Sequence, residues 1–139
     1  MKLKTYDEFI NEAETDVYFE KQNEGKYFNV SIFSKDDNKE LGFLNSFAIK
    51  NGKDNDFEDL PNKCQFIEQV AIDRKEQKKG YFKMLMSHFE KLMKEKKITA
   101  ILLQVDDDSS VDFKTLKNMY LKLDFEEYQE GENYLIKYL

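Results

Sequence analysis

Between residues 64 and 105 the sequence changes period twice. "CQFIEQVAID" gathers apolar and β-branched residues over the length of a strand, and "GYFKMLMSHFEKLMKEKK" sets Phe82, Leu85, Phe89 and Leu92 at helical spacings of three and four. "ITAILLQV" is then a nearly unbroken apolar run. A strand, a helix and a strand in succession let the two strands lie parallel, because the helix supplies the crossover that a tight turn cannot. The apolar second strand suits a central position covered on both faces. No other feature constrains the fold as much as this unit.

The flanks supply antiparallel partners. "DVYFEKQ", "KYFNVSIFS" and "KELGFLNSFAIK" are rich in β-branched and aromatic residues and are separated by the turn chemistry of "NEG" and "KDDNK", which predicts a three-stranded meander. "NGKDNDFEDLPNK", with the only proline, reads as a polar loop. After the central unit, "DFKTLKNMYLKL" predicts a second amphipathic helix, and "FEEYQ" and "NYLIKYL" close the chain as two strands around "EGE". The expected fold class is α/β (α+β): a mixed, mostly antiparallel sheet with a central parallel pair and flanking helices. A chain of 139 residues suits a single domain over 1–139 with one core. Residues 1–14 are expected as an N-terminal helix, since Thr5 and Glu8 have capping-box spacing ahead of Phe9 and Ile10.

Charge is segregated. Residues 74 to 97 hold nine Lys or Arg and three Glu, a local +6 in a chain of net −6, leaving −12 for the rest. Such a window is either a solvated helix face or the footprint of one anionic ligand, while the acidic remainder disfavours nucleic acid. Cys64 has no partner for an internal disulfide and reads as a core residue. With no long apolar stretch, the chain reads as a cytoplasmic protein without membrane contact.

The basic window contains "EQKKGYF", where a strand-like run gives way to a helical one. A glycine there opens a helix whose first N–H groups and dipole favour an anion, and Lys78, Lys79 and Lys83 add positive charge at the rim. The loop has neither the two glycines nor the Lys-Ser/Thr pair of a Walker loop, and it is not a GxGxxG fingerprint.

"FIEQVAIDRKEQKKGYFKMLM" resembles motif A of the GNAT acetyltransferase superfamily, a Gln/Arg-x-x-Gly-x-Gly/Ala signature after a strand of the "IExxAV" type; Gln77 and Gly80 match. "MYLKLDFEEY" is similar to motif B, Tyr-x-Lys-Leu-Gly-Phe, through Tyr120, Lys122, Leu123 and Phe125. The resemblance covers roughly residues 26 to 139. It implies direct transfer of acetyl from acetyl-CoA to an amine. The backbone of Val70, Ala71 and Ile72 would pair with the pantetheine arm, and the segment Gln77, Lys78, Lys79, Gly80, Tyr81 and Phe82 would hold the pyrophosphate, with Lys83 at its rim. Tyr120 would protonate the departing thiolate, or else pack as a helix aromatic. Glu68 would act as base, directly or through water, or bind the acceptor, or simply be an exposed strand residue. Two departures stand out: Phe82 occupies the position where the family prefers Gly or Ala, and Asp124 replaces the motif B glycine. The span between the first two strands is also too short for the family's two helices, which permits an alternative function as a GNAT-fold binding protein without catalysis.

The expected partners are a small-molecule amine or basic peptide acceptor, cationic by complementarity to the acidic remainder; a homodimer is compatible with this. No metal is expected, because "DDDSSVD" lacks the glycine and terminal glutamate of a calcium loop. His88, inside the amphipathic helix, reads as structural, as do Met84, Met86 and Met93. "MKLKTYDEFINEAE" also resembles the head-targeting peptide of T-even-like phage internal proteins, with Ile10, Asn11 and Glu12 fitting its cleavage pattern; this would imply a packaged virion protein.

Overall fold

The computed structural model describes residues 16–52, 55, 57–77, 79–105, 113–128 and 133–139. The N-terminal helix or targeting peptide, the "DDDSSVD" segment and Lys78 lie outside them. The strands are β1 (Val17–Glu24), β2 (Tyr27–Ser34), β3 (Glu40–Ile49), β4 (Cys64–Ile72), β5 (Ala100–Gln104), β6 (Glu126–Tyr128) and β7 (Tyr134–Tyr138). A 3-10 turn, Arg74–Glu76, and helix α1 (Tyr81–Glu95) join β4 to β5, and helix α2 (Phe113–Leu121) joins β5 to β6. The seven strands follow the order β1-β2-β3-β4-β5-β7-β6. The sheet is mostly antiparallel, and β4 and β5 form its parallel pair, as the helical crossover requires. That register runs from Cys64↔Ala100 to Ile67↔Leu103, whereas β4 itself continues to Ile72.

The chain divides into two compact units. The first holds the residues up to Asn45 together with Gln69–Phe89. In it β1 and β2 pair from Val17↔Ser34 to Glu24↔Tyr27, a direct hairpin with no room for intervening helices. Strand alternation is clear in β2: Phe28, Val30 and Ile32 are buried, while Asn29, Ser31 and Phe33 are half-buried on the opposite face. Phe28 meets Phe89 of α1 at 6.3 Å, and Phe19 stacks on His88 at 4.0 Å, so the single histidine is held in an aromatic contact. Met84, Leu85 and Met86 of α1 are buried as well.

The second unit comprises Ser46–Glu68 and Glu90–Leu139. Its core gathers Ile49, Phe57, Leu60, Cys64, Ala100, Leu102 and Ile136, with Phe47, Phe66, Tyr128 and Tyr134 packed against it. Ala100 to Leu103 are all buried, the signature of a strand covered on both faces. Among the described residues two polar side chains are fully buried, Ser46 and Gln65, and they pair, the Gln65 amide donating to Ser46 Oγ at 2.9 Å. Burial pushes the Cys64 thiol up to about 12, which makes it inert. Truncating Leu102 here would cost about 2–5 kcal/mol through lost burial and the cavity left behind.

Candidate functional site

Within the first unit, the last residues of β4, the 3-10 turn and the start of α1 form a continuous strand–turn–helix segment. The Asp73 N–H donates to Leu41 O at 2.8 Å, tying the end of β4 to β3. Asp73 caps the 3-10 turn, its carboxylate accepting from the Lys75 N–H at 3.0 Å, with the Lys39 ammonium 3.5 Å away. The Lys75 N–H, with help from Lys39, holds the Asp73 carboxyl below its ordinary value. The Gln77 side chain returns to β4, donating from Nε2 to Ile72 O at 3.3 Å. Val70, Ala71 and Ile72 are half-buried, so this part of β4 is neither core nor free surface.

Gly80 sits at the helix start with φ +84°, a conformation that L side chains rarely adopt. A Cβ there would meet nothing within 4 Å. The backbone conformation alone favours glycine at this position. Its carbonyl accepts the first intrahelical bond, from the Met84 N–H at 3.1 Å, so the N–H groups of Tyr81, Phe82 and Lys83 precede that bond at the positive end of the helix. No acidic residue occupies the first turn of α1. Tyr81 and Phe82 are half-buried and Lys83 is exposed. Lys79 is not simply a rim charge: it pairs with Glu76 at 2.7 Å, and that hydrogen bond raises its ammonium above its ordinary value.

Sequence reasoning missed two contributors. Gly42 on β3 lets β4 pass closely, since a Cβ on it would lie 2.5 Å from Ile72 Cδ1 and 2.7 Å from Ala71 O. Asp73 was the other, although the spacing of Asp73 and Glu76 is that of a cap followed by its acidic partner.

The two expected catalytic residues belong to the second unit, each on its own element. Glu68 is exposed on β4, one residue beyond the end of the parallel register. Tyr120 is buried in α2, edge-on to Phe125 at 5.6 Å, and burial pushes its phenol up to about 12. It is therefore fully protonated at neutral pH, as a proton donor must be. Asp124 takes φ 69° after α2, the left-handed position that motif B fills with glycine.

The sequence matches the model of the acetyltransferase (GNAT) family over residues 2–125. The chain belongs to the GNAT acetyltransferase family. No curated protein matches the sequence significantly. Solved GNAT-fold structures are similar in fold. A GNAT-family acetyltransferase from Staphylococcus aureus Mu50 has a TM-score of 0.64 at 14% identity, over 82% of this chain and 68% of that one. The ribosomal-protein-S18-alanine N-acetyltransferase of Escherichia coli gives 0.60 at 14%, over 84% and 70%. The PaiA N-acetyltransferase of Thermoplasma acidophilum, in complex with coenzyme A, gives 0.59 at 19%, over 94% and 67%. At these identities the likeness is one of fold. The GNAT match spans β4, the turn and α1, and it ends at Phe125, so it takes in Tyr120 as well.

Proposed function

We propose that the protein is an acetyl-CoA-dependent N-acetyltransferase acting on a cationic amine or basic peptide. The observation that carries this reading is the β4–turn–α1 segment inside a GNAT-family match: a left-handed glycine opens a helix whose first turn carries no acid, directly after the strand that the family uses for its cofactor. The amides from Gln77 to Phe82 hold the pyrophosphate, with Lys78, Lys79 and Lys83 around it. For Lys79 the phosphate competes with Glu76, whose pairing with the exposed ammonium is screened by solvent. Val70, Ala71 and Ile72 offer extended backbone to the amide groups of pantetheine, in the manner of an added strand.

The acceptor amine attacks the thioester carbonyl only when neutral. Glu68 removes its proton directly or through water, the tetrahedral intermediate collapses with loss of the thiolate, and Tyr120 hydrogen-bonds or protonates that thiolate. No covalent enzyme intermediate is needed, which agrees with a Cys64 thiol buried in the core. A panel of polyamines, lysine peptides and free protein N-termini, each incubated with acetyl-CoA while thiol release is followed, tests the reading. Thiol release matched by acetylated product supports it. CoA binding without turnover on any acceptor favours the binding-protein alternative.

A further inference from the structure

On the face of the β1–β3 meander opposite Val30 and Ile32 lies a groove of about 670 Å³, within the size range of small-molecule sites. Asn29, Ser31, Phe33, Phe43 and Asn45 line it, half-buried, and Glu20, Gln22 and Glu40 stand exposed around it. Phe33 is braced by Tyr18 stacked at 5.1 Å, and the Tyr18 hydroxyl donates to Asn38 Oδ1 at 3.1 Å. Glu20 and Gln22 oppose Ser31 and Asn29 across the hairpin; Lys21, opposite Val30, also lines the groove and is its one cation among the described residues, against the two carboxylates of Glu20 and Glu40. Lys39, beside Glu40 in sequence, is turned to Asp73 at 3.5 Å.

We infer that this groove binds a linear aliphatic polyammonium. Glu20 on β1 and Glu40 on β3 are two strands apart, about 10 Å across the sheet. Each carboxylate takes one ammonium end, the Phe33 and Phe43 rings face the methylenes and the cationic carbons, and the Ser31 and Asn45 side chains accept from the remaining N–H groups. An anion meets two carboxylates here. The groove is built from the first unit alone and binding needs no CoA. Only the expectation that the bound amine is also the acetyl acceptor rests on the function proposed above.

The test is calorimetric titration of spermidine into the full chain at low ionic strength, with butylamine as the single-charge comparison. Wild type binds spermidine more tightly than butylamine, and the Glu20→Gln/Glu40→Gln double variant binds spermidine at least about tenfold more weakly. Both proteins keep the same melting temperature and the same thermal shift with CoA. No spermidine binding, equal binding by the double variant, or a face closed by a second copy in sedimentation overturns the inference. Adding acetyl-CoA then separates two roles: acetylated spermidine with a raised KM in the double variant makes the groove the acceptor site, and bound but unmodified spermidine makes it an effector site. Loss of CoA binding in both proteins would remove the acetyl-transfer reading and leave the groove intact.

Discussion

Replacing Gly80 separates what its backbone does from what its neighbourhood does. Because a Cβ at 80 meets nothing within 4 Å, Gly80→Ala carries no steric term, and its cost is that of holding an L residue at φ +84°. That cost is about 1–2 kcal/mol, or roughly 3–10 °C in Tm for a chain of this size. Gly80→Asn, which tolerates the left-handed region, loses less. Gly80→Glu has the same strain as alanine but also puts a carboxylate at the amides proposed to hold the pyrophosphate. At a hundredfold excess of CoA over its Kd, binding adds about 2.7 kcal/mol, roughly 8–13 °C in Tm. Differential scanning fluorimetry with and without CoA should therefore show a lowered apo Tm in Ala and Glu alike, a retained CoA shift in Asn, and an absent shift in Glu. An undiminished shift in Gly80→Glu refutes the placement of the pyrophosphate. An unchanged apo Tm in Gly80→Ala refutes the account of the glycine.

Other expectations follow from the same geometry. Tyr120→Phe should lower turnover by about 10²-fold or more at unchanged CoA affinity, since an acid acts only on the departing thiolate; equal turnover would make Tyr120 a packing residue. Folding raises the Tyr120 phenol to about 12 and the Cys64 thiol to about 12, so the folded state keeps protons that the unfolded chain loses first; urea stability should fall as pH rises from about 9 toward 12, and Tyr120→Phe should flatten the upper part of that fall. Native Cys64 should resist a disulfide reagent at pH 8 and react once urea unfolds the chain; rapid native labelling would contradict its burial. Glu76→Gln releases Lys79 and should tighten CoA binding a few-fold by calorimetry, while Gly42→Ala should destabilise the fold by about 1–3 kcal/mol and weaken CoA through displacement of Ala71 and Ile72.

The elements were legible where one period dominated. The stripe through Leu85, Phe89 and Leu92 and the run from Ala100 to Leu103 each admit one reading, and the described strands and helices lie within a residue or two of their expected positions. The parallel pair followed from the crossover helix alone. What the sequence concealed depends on spatial neighbours. Gly42 looks like any strand glycine until Ala71 and Ile72 are seen against it, and Lys79 looks like a free rim charge until Glu76 is seen beside it. The groove was equally hidden, since Glu20, Phe33 and Glu40 lie on three strands and share no motif. Gly80 stands out in the sequence, but its left-handed dihedral angle is something no spacing rule reports.

The central claim is that the turn after β4 holds the pyrophosphate of a CoA thioester. Amide chemical shifts of the 15N-labelled chain, followed during titration with CoA, test it residue by residue. The account predicts the largest perturbations at Val70 to Ile72 and at Gln77 to Lys83, saturating together with a single affinity. Saturable binding that leaves those amides unmoved and shifts others instead would contradict it.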